Sequence, residues 1–322
     1  MRSKTRKYQK HDKLTFKKHN YTKKQKTKIA NALFSLTKED ALTDFCKLQN
    51  IGCSSRSTFG KTGNAFVNYF TLEERLETIG NKKVNFYDVW KNRHWIAKHY
   101  PYVQKILDYY DTHYATYPQI KIWKRIFDLY YGSITIFRPL QAMDIYCQFQ
   151  PRAILDFTMG WGGRLVGACA LQIPHYIGID SNVHLRTPYQ KMVRLLKTIS
   201  PTKISLLFQD ALTVDYSRLT YDMVFTSPPY YNIEIYGHHQ DNHNNALPSK
   251  EIWDTKFYKP IFHKTYTHLQ RGGVYCLNIP DTIYRGVAMQ VLGACHMKIP
   301  MNKFSRTIAK HYDEYIYIWK KK

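Results

Sequence analysis

Residues 222–231 read Asp222-Met223-Val224-Phe225-Thr226-Ser227-Pro228-Pro229-Tyr230-Tyr231, an apolar run that stops at two prolines. Consecutive prolines fix the backbone and donate no amide, so a strand must end there with its carbonyls held rigidly outward. Rigid acceptors are what an amine needs. With the Ser227 side chain or backbone and the Pro228 carbonyl accepting from an exocyclic NH₂, the nitrogen lone pair can turn toward an electrophilic methyl group while Tyr230 stacks on the base. Little general-base power is required if the proton leaves after transfer. Ser227, Pro228, Pro229 and Tyr230 are therefore the candidate catalytic residues.

A second constellation lies upstream, in Ile154-Leu155-Asp156-Phe157-Thr158-Met159-Gly160-Trp161-Gly162-Gly163-Arg164-Leu165. A strand ends at Asp156, and the glycines let the backbone turn tightly where a Cβ would collide with a ligand. A second strand ends in Gly178-Ile179-Asp180, at the spacing from which an acid accepts hydrogen bonds from both hydroxyls of a ribose. A third ends in Phe208-Gln209-Asp210-Ala211, where Asp210 is placed to receive an adenine amino group. One such acid is ordinarily a helix cap. Three at successive strand ends describe a nucleoside site, for which Asp156, Phe157, Thr158, Gly160, Gly162, Asp180, Ser181, Asp210 and Ala211 are the candidates.

The elements that must position these groups follow from periodicity. Short apolar runs at Ala153–Asp156, Tyr176–Asp180, Ile204–Phe208, Met223–Thr226, Gly273–Ile279 and Glu314–Trp319 alternate with helical stretches, the pattern of an α/β sheet over residues 132–322. Residues 29–131 are expected to be mostly helical, with Thr71–Thr78 and Val103–Tyr110 as examples; Val103, Ile106, Leu107 and Tyr110 share one helical face. This region also carries Trp90, Trp95, Tyr100, Tyr102, Tyr109, Tyr110, Tyr114, Tyr117 and Trp123 among basic residues. Such a mixture fits base stacking beside phosphate contacts, or equally an aromatic core under a basic surface.

Charge points to the partner. The chain has 48 Lys and Arg against 24 Asp and Glu, a net +24. Such a field repels basic partners and attracts phosphate. Residues 1–28 hold 12 basic residues and one acid, Asp12, and read as a disordered basic arm that adds non-specific affinity for nucleic acid or serves as a nuclear address. The six cysteines form no C-x-x-C pair and no apolar leader is evident, so a soluble protein in a reducing intracellular setting, cytoplasmic or nuclear, is expected. No run approaches the ~20 apolar residues of a membrane span.

Two decoys are set aside. Ser55-Arg56-Ser57-Thr58-Phe59-Gly60-Lys61-Thr62 lacks the first glycine of a P-loop and follows no strand. His238, His239 and His243 have no cysteine partner and sit in a polar loop, so no metal is expected.

From about Gly132 to Lys322 the chain resembles the DNA amino-methyltransferases, which make N4-methylcytosine or N6-methyladenine and share a D/N/S-P-P-Y/F/W motif. The resemblance rests on the order glycine loop, then Ser227-Pro228-Pro229-Tyr230, and on Arg271-Gly272-Gly273-Val274-Tyr275 and Asp313-Glu314-Tyr315-Ile316 as later strands. It implies a Rossmann-like class I sheet with helices on both faces and S-adenosyl-L-methionine as cofactor. Phe137-Arg138-Pro139 resembles the element that seats the methionine part of that cofactor, which adds Arg138 to the candidates. The implied activity is methylation of an exocyclic base amine in DNA, cytosine N4 favoured over adenine N6 because Ser begins the motif. The alternatives are an RNA base methyltransferase and a non-catalytic nucleic-acid-binding protein on the same scaffold. Two features depart from the pattern. Trp161 enters a loop whose aromatic wall is displaced, and no long target-recognition segment follows the catalytic motif, which leaves residues 29–131 and the His-rich loop 237–248 to meet DNA. The tryptophan-bearing loop and basic extension are similar in style to methyltransferases encoded by large DNA viruses.

Overall fold

A computed structural model describes residues 17–54, 60–80, 82–231, 249–301 and 314–322. The N-terminal helices are α1 (Lys23–Leu33), α2 (Lys38–Ile51), α3 (Asn64–Glu77), α4 (Phe86–Lys91), α5 (Arg93–His99), α6 (Pro101–His113) and α7 (Gln119–Tyr130). Then follow α8 (Pro139–Phe149), β1 (Ala153–Asp156), α9 (Gly163–Ala170), β2 (His175–Ile179), α10 (Arg186–Leu196), β3 (Lys203–Leu207) and β4 (Met223–Thr226). A continuous helical stretch runs from α11 (Lys250–Trp253) through a wide turn at Asp254–Tyr258 into α12 (Lys259–Thr267). The strands β5 (Val274–Pro280), β6 (Met297–Pro300) and β7 (Glu314–Lys320) complete the sheet.

The seven strands lie in the order β3-β2-β1-β4-β5-β7-β6. Strands β1 to β5 pair in parallel, and β7 runs antiparallel between β5 and β6. This is the expected class I methyltransferase sheet. The chain winds outward from β1 to β3 and then crosses back to β4, so the carboxyl ends of β1 and β4 border the crevice that such a reversal opens. Alternation along the strands explains the burial on both faces. Ile154, Tyr176, Met223 and Phe225 enter one core, while Leu155, Ile177 and Val224 enter the other.

A third core holds α1 and α4 to α7 together, with Phe86, Trp123, Ile126 and Phe127 buried. The helices α2 and α3 lend Phe45, Leu48, Phe66 and Val67 to the sheet's own core, while Leu72 and Leu76 of α3 join the third. Helices on the two sides of residue 132 therefore share one core. Cys53, just after α2, is disulfide-bonded to Cys147 on α8 and fastens the same joint. The reading of the cysteines as thiols in a reducing setting does not anticipate that bond.

Part of the stretch expected as a basic arm is folded. Thr22 caps α1 in a reciprocal capping box with Gln25, and Lys18 and Lys26 pair with Asp88 and Glu77 on the folded body. Residues 17–28 thus belong to the fold; residues 1–16 lie outside the described part. Sequence reading also passed over β6, an edge strand whose residues are mostly exposed and so leave no apolar run. Among the described residues no helix is long and apolar enough to cross a membrane.

Candidate active site

The glycine turn after β1 is fixed by backbone need. Gly160 and Gly162 adopt φ of +56° and +95°, and a Cβ on Gly163 would lie 1.8 Å from the Phe137 carbonyl oxygen, so no side chain fits there. The Met159 amide donates to the Ile179 carbonyl, and the Tyr189 hydroxyl reaches the Gly160 carbonyl at 2.9 Å. Thr71 Oγ1 on α3 lies 3.3 Å from the Trp161 carbonyl oxygen and ties the N-terminal helices to the loop.

A cleft opens at the carboxyl ends of the strands. Its walls bring together Phe157, Thr158, Gly160, Asp180, Ser181, Asp210, Ala211, Ser227 and Pro229 from the sequence-derived set. Its interior is narrow, about 80 Å³. Trp161 is nearly buried yet forms part of the wall, as do Trp253 and Phe257 from the helical stretch after β4. Sequence reading missed Trp253 and Phe257, because only the crossover at β4 brings their segment over the strand ends.

Asp156 is not at the cleft. Its carboxylate has no exposure and receives four donors: Arg164 Nε at 2.7 Å and Nη2 at 3.0 Å, the Tyr176 hydroxyl at 2.5 Å, and Thr226 Oγ1 at 2.8 Å. Four donors fill a carboxylate. Burial by itself would lower the Arg164 pKa, but Asp156 beside it more than offsets this and holds the guanidinium charged. Asp156 therefore anchors the start of α9 beneath the site. Gly162 and Arg138 also fall outside the wall: Gly162 lies against Met192, and Arg138 precedes α8, which packs on α9, without a side-chain capping bond.

Asp180 differs. Its oxygens accept the Gly160 amide at 2.8 Å and the Asn182 amide at 2.9 Å, and it faces the cleft. Desolvation pushes its pKa up to about 6, against the two amides that pull it down. Asp210 spends one oxygen on the Leu212 amide at 2.9 Å.

At the end of β4, Ser227 Oγ lies 3.1 Å from both the Tyr230 hydroxyl and Asn278 Oδ1. The Tyr230 hydroxyl in turn lies 2.8 Å from Glu314 Oε1 and 3.0 Å from the Asn278 carbonyl oxygen. The two hydroxyls thus share the oxygens of Asn278 and Glu314 as acceptors. Asn278 on β5 and Glu314 at the start of β7 were not singled out from sequence; antiparallel pairing of those strands sets them beside the motif. The Tyr258 hydroxyl donates to the Pro229 carbonyl and accepts the Tyr231 amide, and Tyr231 itself takes a φ of +53°. The motif is held by partners on both sides. Tyr230 is half-buried behind Ser227 and Pro229 and is not a wall of the cleft.

Arg271-Gly272-Gly273 leads into β5, and Glu314 opens β7 as expected. The loop 237–248, with His238, His239 and His243, and most of the 55–62 stretch lie outside the described residues. Among the described residues no group of three or more His, Cys, Asp or Glu could hold a metal.

No protein-family model matches the chain. A stretch of 77 residues, 24% of this chain, is 36% identical to the Type II methyltransferase M.MjaVI of Methanocaldococcus jannaschii, and spans 37% of that protein's length. Among solved structures, the N-methyltransferase NodS from Bradyrhizobium japonicum is similar over 57% of this chain and 93% of its own, with 12% identity and a TM-score of 0.40. TrmN from Thermus thermophilus is similar over 57% and 48%, with 13% identity and a TM-score of 0.40. The fold assignment stands on the strand order, not on these scores.

Proposed function

We propose that the protein is an S-adenosyl-L-methionine-dependent methyltransferase acting on an exocyclic base amine of nucleic acid, DNA favoured over RNA and cytosine N4 over adenine N6. The observation that carries this reading is the Ser227-Pro228-Pro229 turn at the end of β4, which borders the same cleft as the carboxylates Asp180 and Asp210. Asp180 receives one amide on each oxygen, which leaves acceptor capacity for the two hydroxyls of a ribose. Asp210 suits an adenine amino group, and the glycine turn keeps the backbone clear of Cβ atoms at the closest approach. When bound, S-adenosylmethionine supplies an electrophilic methyl group.

The chain's own residues do the rest. A target amine donates its two N–H groups to the Ser227 oxygens and the Pro228 carbonyl, and this fixes its lone pair in one direction. Tyr258 and Asn278 keep the motif from moving. A base inside a duplex is unreachable at a strand end and has to be flipped out, and Trp253 and Phe257 are two of the four cleft aromatics, with Phe157 and Trp161, that can receive it. The net +24 charge supports a nucleic-acid substrate, and the local likeness to a Type II methyltransferase of M. jannaschii supports methyl transfer.

The test is transfer of labelled methyl to DNA and RNA, single- and double-stranded, followed by digestion and identification of the modified nucleoside. N4-methylcytosine in DNA is expected. N6-methyladenine would move the assignment to adenine, label confined to RNA would favour the RNA alternative, and no label on any nucleic acid would overturn the reading.

A further inference from the structure

The structure separates the aromatic residues of the N-terminal helices into core and surface. Trp123 is buried, whereas Trp95 and Tyr109 are 42% and 51% exposed. Both exposed rings open the same device. Trp95 on α5 carries His99 one turn later, stacked with a centroid distance of 4.3 Å and 22° between planes. Tyr109 on α6 carries His113 one turn later, at 4.4 Å and 26°. In each pair the histidine Nδ1 meets the carbonyl of the aromatic residue four positions back, at 2.8 Å and 2.9 Å. A carbonyl only accepts, so Nδ1 carries the proton and the imidazole is locked flat against its neighbour.

Two solvent-facing ring pairs held in place by hydrogen bonds add little to a core. They do form platforms. Ring contacts run from Trp95 to Tyr100 at 6.0 Å and on to Tyr102 at 5.6 Å. Tyr102 and Tyr109 are two helical turns apart on α6 and so share one face, about 10 Å apart along the axis. The charge beside the first platform is of one sign. From Trp90 to Tyr102 the chain carries Lys91, Arg93 and Lys98 and no acid. Asp108 and Asp111 flank the second platform, which leaves it close to neutral.

We propose that the α5–α6 surface binds an unpaired nucleic-acid strand, with Trp95/His99 and Tyr109/His113 each stacking a base and the cations around α5 holding its phosphates. This rests on the nucleic-acid reading above and goes beyond it, because it names a second surface, away from the cleft walls, and the strandedness it selects. A duplex keeps its bases stacked on one another and offers this surface only phosphates. An unpaired strand offers both.

The test is fluorescence anisotropy of a labelled oligothymidine and of a duplex of equal length, with the full chain, over a range of salt. Trp95→Ala and Tyr109→Ala should each weaken single-strand binding by about tenfold, with the slope of log K against log salt unchanged and duplex affinity kept. Trp95→Phe should restore most of the loss. Lys98→Ala should weaken both ligands and reduce the slope by about 1. Wild-type affinity for the single strand in both ring variants overturns the inference, as does an equal loss on duplex. A wild-type dimer that Trp95→Ala dissociates in sedimentation overturns it in favour of a second copy of the chain. If the wild-type protein binds neither strand nor duplex, the nucleic-acid reading itself fails; cofactor binding, measured separately, reports whether the cleft assignment survives.

Discussion

Asp156 and Asp180 end neighbouring parallel strands, and the same sequence signal singled out both. Their surroundings make them different residues. Asp156 is enclosed by four donors and neutralised by a buried arginine, while Asp180 receives only two backbone amides and opens on the cleft. The first is spent on packing beneath the site, and the second keeps lone pairs on the cleft side. A carboxylate's function here is decided by how many of its lone pairs the fold has already used.

The largest effect that could break this contrast is on stability. Asp156→Ala leaves the Arg164 guanidinium buried without its partner and strands Tyr176 and Thr226, and removing one member of a buried ion pair costs about 3–5 kcal/mol. Urea unfolding should show that loss for Asp156→Ala and much less for Asp180→Ala. Equal midpoints for the two variants would mean that the enclosed network carries no weight.

The end of β4 sharpens the comparison from the catalytic side. Tyr230→Ala should lower kcat/KM by about one to two decades, and Tyr230→Phe by about one, because the phenol hydroxyl links Ser227 to Asn278 and Glu314. Cofactor affinity should hardly change in either. Single-turnover transfer read beside calorimetry of cofactor binding separates the two steps; a wild-type transfer rate in Tyr230→Ala would remove the residue from the reaction.

Much of this arrangement was legible beforehand. Six of the seven strands announced themselves as short branched or aromatic runs, with Ala153–Asp156 and Met223–Thr226 matching residue for residue. The exposed edge strand Met297–Pro300 was not, because it lacks the apolar pattern that burial imposes. In the site, glycine and proline were readable because their backbone demands are local. Asn278, Glu314, Trp253 and Phe257 were not, since each reaches the site through strand pairing or helix packing over long sequence distances. The misplacement of Asp156 has the same origin: its partner Arg164 is only eight residues away, but nothing local says that the pair points inward. The capping box at Thr22, by contrast, could have been read, and was hidden only by the lysines around it.

The smallest effect concerns pH, and its sign is the sharpest test of Asp180. Burial raises its pKa from the usual 3.8 to about 6. A ribose donates hydrogen bonds to the ionised carboxylate, so cofactor affinity should be flat above pH 7 and should weaken as pH falls through 6, by at most about tenfold per unit. Stability should move the other way. A group whose pKa is raised on folding contributes most below its unfolded value and loses that contribution as pH rises through the folded one, so the Asp180 share of stability should fall between about pH 4 and 6. Asp180→Asn keeps the size, gives up about tenfold in affinity at pH 8 by losing the charged acceptor, and should flatten both profiles. Calorimetric titration of S-adenosylmethionine and urea unfolding across this range, each as a difference between wild type and variant, isolate the residue from other titrating groups. If the two differences run in the same direction with pH, or if the affinity difference does not vary at all, Asp180 is not the ribose acceptor.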